Sequence, residues 1–196
     1  MKTLIIIPSR MSATRLPGKP LLKINGLSII SHVFKRAESA NIGEVVVAAE
    51  DQEIIDDVKN NGGHAVLTSK NNKTGTDRIF EAFKILGRND IDLIMNVQGD
   101  EPDIDINDIK MLDNKMKTNN SKMGTLAAKI PSLKMYEDEN IVKVKIRKSF
   151  NRNSFPQAEN FMRKTKDKED IFHHIGIYCY EVETLKKFIS FNQSKN

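Results

Sequence analysis

Apolar and polar positions along the chain follow two rhythms. Leu4-Ile5-Ile6-Ile7 is a short apolar run rich in β-branched residues, which predicts a strand buried on both faces. Ile30, Val33, Phe34 and Ala37 then recur at helical spacing behind Ser28, a residue suited to capping a helix N-terminus. The alternation repeats. Val45-Val46-Val47 predicts a strand, and Ile54, Ile55 and Val58 a short helix closed by Gly62-Gly63. Ala65–Leu67 predicts a strand; Ile79, Phe83 and Leu86 a helix; Leu93–Val97 a strand; Ile109, Leu112 and Met116 a helix. Strands alternating with helices imply right-handed crossovers, hence an α/β fold with a mainly parallel, doubly wound sheet covered by helices on both faces.

Near Val142 the rhythm changes. Val142, Val144 and Ile146 alternate with Lys143, Lys145 and Arg147, the period of two expected for a strand with one wet face. Residues 151–172 are polar without a clear period and read as a mobile loop. His174–Tyr180 predicts a further strand, and Val182, Leu185, Phe188 and Ile189 a final helix. The sheet is therefore expected to end in a partly antiparallel C-terminal extension.

Composition narrows the function classes. With 196 residues, 39% hydrophobic and 29% charged, the chain suits one soluble domain spanning residues 1–196. No apolar run approaches the roughly 20 residues of a membrane helix. Leu4–Ile7 is too short for a signal-peptide core, so a cytoplasmic protein with no membrane partner is expected. Cys179 is the only cysteine, which excludes an internal disulfide and a cysteine metal cage. A net charge of +5 favours anionic partners. The lysines are scattered and not interleaved with aromatics, so a small anionic ligand is expected, not nucleic acid.

Open α/β sheets bind ligands beyond the C-terminal ends of their strands. Three polar segments lie at such ends. Pro8 to Pro20 carries Arg10, Arg15 and Lys19, and its Leu16-Pro17-Gly18-Lys19 step has the residues of a type II turn. Such a loop can wrap a polyphosphate with backbone N–H groups and cations. The Walker A spacing is absent, and the composition also describes an ordinary solvated basic loop. Lys73-Thr74-Gly75-Thr76-Asp77-Arg78 leads into a helix, where an anion is favoured, although these residues alone fit a plain capped turn with Thr76 as N-cap better. Gln98-Gly99-Asp100-Glu101-Pro102 places a carboxylate at a strand end, suited to Mg²⁺ or to a solvated acidic turn. His174 and Tyr178 are four apart in a strand, the spacing of one face. His32 and His64 belong to no paired motif.

Taken together, these segments resemble the 3-deoxy-manno-octulosonate (KDO) cytidylyltransferases. Ile7 to Leu21 resembles their opening signature, with Ala and Ser permuted at 12 and 13. Thr74 to Arg78, Val97 to Pro102, and His174 to Tyr178 followed by Tyr180 resemble their later blocks, in order. The resemblance implies a nucleotide-diphospho-sugar transferase-like fold, with a nucleotide-binding half at 1–120 and a sugar-binding and dimerisation half at 121–196. It implies transfer of CMP from CTP to KDO, with Mg²⁺ on Asp100 and a homodimer. Arg10 and Lys19 are implied for the triphosphate, with Arg15 in support. Thr74, Gly75 and Arg78 are implied for the nucleotide, and Gln98, Arg152, His174 and Tyr178 for the sugar. A modified KDO such as the 8-amino sugar is an alternative substrate, and a non-catalytic nucleotide-binding remnant an alternative protein.

The chain departs from the family at Ala49-Glu50-Asp51, where members carry Thr-Asp, and at Gln157, where an aromatic is usual. A C-terminal segment with a Glu-Gln pair and a second metal-binding Asp is expected to be missing, so weak CTP binding and little turnover are expected.

Overall fold

The computed structural model describes residues 1–12, 16–147 and 154–191. The apolar run that opens the chain becomes β1 (Thr3–Ser9), in which Leu4 to Ile7 are completely buried. Then follow β2 (Lys23–Ile24), β3 (Leu27–Ser28), α1 (Ile29–Ser39), β4 (Gly43–Ala49), α2 (Gln52–Asn60), β5 (Ala65–Leu67), α3 (Gly75–Leu86) and β6 (Leu93–Asn96). The chain continues through α4 (Ile106–Thr118), β7 (Met123–Ala128), α5 (Leu133–Glu137), β8 (Lys143–Ile146), β9 (Ala158–Met162), β10 (Ile171–Glu181) and α6 (Val182–Ser190). Its contacts divide it into two units. The first comprises residues 1–124 with those from 177 onward, and the second residues 125–176.

In the first unit the parallel strands lie in the order β5-β4-β1-β6. The last residues of β10 run antiparallel to β6, with Tyr178 opposite Asn96 and Glu181 opposite Leu93. From β1 the chain moves outward through β4 to β5, then returns to place β6 on the other flank of β1. That reversal makes a topological switch point between β1 and β6, where open α/β sheets form their ligand crevice. Leu4, Ile6, Val46, Ile79, Phe83 and Leu185 form a core on the α3 and α6 side. Ile5, Ile7, Ile30, Val33 and Ile54 are also buried, so β1 is covered on both faces. Truncating any of these to Ala costs about 2–5 kcal/mol. Ser28 caps α1 as its position predicts, its Oγ accepting from Ser31 N at 3.2 Å.

The second unit is antiparallel. β8 pairs with β9, Lys143 opposite Met162, and with the start of β10, Lys145 opposite Ile171. Two expectations fail here. Residues 158–162, read as part of a loop, form β9; the ladder with β8 supplies its order, and its side chains at 159–161 are exposed without alternation. Lys143, read on a wet face, is fully buried. Its Nζ donates to the backbone carbonyls of Asp138 at 2.5 Å and Arg163 at 2.9 Å, which replace the water it loses. Among the described residues, no helix is long and apolar enough to cross a membrane.

Candidate active site

The polar segments at the C-terminal ends of β1, β5 and β6 meet at the switch point. Beyond β1, Lys19 N donates to Leu16 O at 3.3 Å, and Gly18 sits at φ 73 and ψ 3, the type II geometry its sequence predicts. Gly18 N donates to Met11 O at 3.0 Å, folding the loop back on its own start. A 3₁₀ turn at Lys19–Leu21 then directs Lys19 Nζ to Asp100 Oδ2, 2.8 Å away, on the turn after β6. That turn needs glycine. A Cβ on Gly99 would stand 2.8 Å from the carbonyl oxygen of Pro8, so only glycine lets the end of β6 lie this close to β1.

The end of β4 holds the same loop from its other side. Met11 N donates to Asp51 Oδ2 at 2.8 Å, and Ser12 Oγ to Glu50 Oε1 at 3.2 Å. On α3 the N-cap is Thr74, not Thr76. Thr74 Oγ accepts from Asp77 N at 3.1 Å while Thr74 N donates to Asp77 Oδ2 at 2.9 Å, a reciprocal box that a Thr two residues later is too far along to form. Arg78 is buried. Its Nη1 donates to Thr68 Oγ at 2.6 Å and its Nη2 pairs with Glu50.

A cavity of about 310 Å³ opens between these segments. Arg10, Lys19, Thr74, Gly75, Arg78, Gln98 and Asp100, all singled out in the sequence, line it. Arg15 and Arg152 lie outside the described residues. Tyr178 is in the first unit but does not line this cavity. It stacks on Tyr180 with ring centroids 6.0 Å apart, and burial raises its hydroxyl pKa. His174 belongs to the second unit, where its Nε2 meets Thr125 Oγ at 3.0 Å. Burial, and then the neighbouring His173, lower the His174 pKa from 6.5, so the ring is neutral at neutral pH.

Ser9 and Lys73, which lie in two of the polar segments but carry no individual role in the sequence reading, also line the cavity. Among the described residues, Ser9 Oγ is buried without a hydrogen-bond partner, as is Asn96 Oδ1 at the end of β6. A hydroxyl closing an otherwise apolar strand was the available signal. Arg10 is exposed, with no carboxylate at ion-pair distance among the described residues. The cavity thus offers cations, which suit a polyanionic ligand. Asp100 is the facing carboxylate, with its side chain 52% exposed. Burial, and then the charge of Asp100, raise the pKa of the adjacent Glu101 carboxyl.

The comparisons place this geometry among known proteins. The family model described as Cytidylyltransferase matches residues 4–195. The 3-deoxy-manno-octulosonate cytidylyltransferase of Thermodesulfovibrio yellowstonii is 40% identical over 100% of this chain and 81% of its own length. The enzyme of the same name from Nitrobacter winogradskyi is 38% identical over 96% of this chain and 74% of its own. The chain belongs to the 3-deoxy-manno-octulosonate cytidylyltransferase family. The solved CMP:2-keto-3-deoxy-manno-octonic acid synthetase complexed with CTP superposes with a TM-score of 0.87, at 31% identity, over 100% of this chain and 80% of that one. For this cytidylyltransferase the mainly parallel sheet with its antiparallel extension is therefore the family fold.

Proposed function

We propose that this protein transfers CMP from CTP to KDO, releasing pyrophosphate and making the activated sugar for lipopolysaccharide biosynthesis. The observation that carries this is the single cavity in which Arg10, Lys19 and Asp100 converge at the switch point between β1 and β6. The family membership supports the reaction, and the CTP in the solved relative supports the nucleotide.

Arg10 and Lys19 hold the triphosphate. Each charge-assisted contact to a phosphate oxygen contributes on the order of 1.5–3 kcal/mol. Thr74 and Gly75 present the N-terminus of α3 to the nucleotide, and Arg78 stands behind them with a fixed guanidinium. Ser9 Oγ gains through the ligand the hydrogen bond it lacks in the free protein. Gln98 borders the sugar side, together with Arg152, His174 and Tyr178 as the family resemblance implies. The anomeric hydroxyl oxygen bonds to the α-phosphorus as the bond to the β-phosphate oxygen breaks, and the hydroxyl proton ends in solvent. The residues contribute by alignment and by neutralising charge.

Mg²⁺ fits the donor set. Among the described residues, no group of three or more His, Cys, Asp or Glu side chains gathers at one point. A lone exposed carboxylate beside a phosphate cradle is the arrangement Mg²⁺ takes when phosphates and water complete its shell. Asp100 would hold it, and when bound it would polarise the phosphates and offset their charge. Lys19 meets Asp100 through Oδ2, and a triphosphate would offer Lys19 a further partner.

The reading extends to a cytoplasmic homodimer. The family resemblance supports the dimer, as do the apolar side chains of Leu133 and Phe161, 64% and 45% exposed in the second unit. The test of function is pyrophosphate release with CTP, KDO and Mg²⁺, against ATP or GTP in place of CTP. CTP with KDO is expected to be fastest. Equal rates with all nucleotides, or turnover without KDO, would overturn the proposal.

A further inference from the structure

Glu50 lies just past β4 and does not line the cavity, yet its carboxylate reaches two of the segments that do. Oε1 accepts from Ser12 Oγ at 3.2 Å, on the loop after β1. Oε2 pairs with Nη2 of Arg78, a lining residue of α3. The Arg78 and Glu50 side chains are 3% and 11% exposed. Nη1 of the same guanidinium is taken by Thr68 Oγ at 2.6 Å, just after β5. With both terminal nitrogens engaged, the guanidinium plane has one orientation. The next residue, Asp51, accepts from Met11 N at 2.8 Å, so successive carboxylates hold successive residues of the loop.

A buried arginine needs a counter-charge, and that alone would explain one contact. It does not explain a carboxylate that holds a lining arginine with one oxygen and, with the other, Ser12 on the loop that carries Arg10. We infer that Glu50 is a positioning residue for the nucleotide, tying the loop at 10–12 to the Arg78 guanidinium so that the cavity is preformed before the ligand arrives. Preformation lowers the ordering cost of binding, so Glu50 acts on nucleotide affinity through geometry and without contact. The inference takes CTP as the ligand from the proposed function; the linkage itself is independent of the sugar.

The test compares Glu50→Gln, Ser12→Ala and Arg78→Gln in the full chain. Calorimetry reads CTP affinity, steady-state kinetics reads kcat and both KM values, and thermal melts read the ligand-free fold. Gln keeps the size and one acceptor while removing the charge. Ser12→Ala removes only the loop arm and leaves the buried ion pair intact. Glu50→Gln is expected to weaken CTP binding by about tenfold or more while KM for KDO stays within about twofold. Ser12→Ala is expected to weaken CTP binding by about threefold, the size of one neutral hydrogen bond, with an unchanged melt. Glu50→Gln combined with Arg78→Gln should bind CTP little worse than Arg78→Gln alone.

A folded Glu50→Gln protein with wild-type CTP affinity, or equal losses for CTP and KDO, would overturn the inference. If Glu50→Gln does not fold, Ser12→Ala decides alone, and wild-type CTP affinity there overturns it. A wild-type chain that binds CTP but ignores KDO removes the proposed function and leaves Glu50 to be judged by the same calorimetry. A wild-type chain that binds no CTP overturns both.

Discussion

The parallel sheet of the first unit has a cleft at each end, and the two differ in chemistry more than in size. At the N-terminal end of β1 and β6 the cleft measures about 520 Å³ and is lined by residues including Met1, Lys84, Arg88, Asp92 and Glu181. Several of the charges around it pair with one another. Arg88 pairs with Asp90 at 2.8 Å and also with Glu44, Lys2 pairs with Asp90 at 3.0 Å, and the chain amino group lies 3.9 Å from Asp92. Hydrogen bonding to Asp90 raises the Arg88 pKa, and the same contact lowers that of Asp90. At the C-terminal end the cavity is smaller, about 310 Å³. There Ser9 Oγ is buried without a partner, and Arg10 faces solvent without a carboxylate among the described residues. A ligand at the first cleft must break ion pairs. At the second it meets one pair, Lys19 with Asp100, and also Arg10, which has no carboxylate at ion-pair distance among the described residues. Unpaired cationic charge, and not volume, distinguishes the second cleft.

The sharpest way to break this comparison is to remove charge at both ends. Asp100→Asn and Lys19→Met are each expected to lower kcat/KM for CTP by at least about a hundredfold, as loss of one transition-state contact does elsewhere. Arg88→Met at the opposite cleft should leave kcat/KM unchanged. Similar losses at both ends, measured by pyrophosphate release, would mean that the larger cleft also serves the reaction.

Gly99→Ala tests the closeness of β1 and β6. Its Cβ would meet the Pro8 carbonyl oxygen at 2.8 Å and Ile30 Cδ1 at 3.2 Å, so the turn must move. Stability should fall by about 1–3 kcal/mol in urea unfolding, with CTP affinity reduced as Asp100 shifts. An unchanged midpoint would mean that the turn is free to relax.

Ser9→Ala should separate stability from binding. Removing a buried hydroxyl that lacks a partner is expected to stabilise the free protein by about 1 kcal/mol. CTP affinity should drop severalfold at the same time. Joint loss of both would place the Ser9 hydrogen bond inside the protein instead.

The smallest effect concerns Glu101. Its carboxyl pKa is raised, so the folded state disfavours the charged form, and ionisation at neutral pH opposes folding. Glu101→Gln is therefore expected to raise Tm modestly at neutral pH. The gain should vanish as the pH falls below the usual carboxylate range, where wild type is also uncharged. A gain that persists in acid would point to packing instead of charge.

Much of the first unit is legible from local pattern. The buried run Leu4–Ile7, the Ser28 cap and the type II turn at Leu16–Lys19 each depend on residues a few positions apart. The second unit is less legible. β9 has no hydrophobic period, because pairing with β8 supplies its order. Lys143 is fully buried, because two backbone carbonyls, one of them 20 positions away at Arg163, accept hydrogen bonds from its Nζ.

The same division runs through the site. Sequence by itself picked out three candidate segments: a basic glycine turn after β1, a helix N-terminus after β5, and an acidic turn after β6. Those signals are local, since turn type, capping and strand period are set by neighbouring residues. Only the tertiary structure decided how they combine. It set Lys19 against Asp100 across 81 positions of sequence, and Arg78 against Glu50 across 28. It also left Ser9 Oγ without a partner among the described residues. Such outcomes depend on strand order, and strand order follows from how the whole chain buries its apolar faces, which no local window contains.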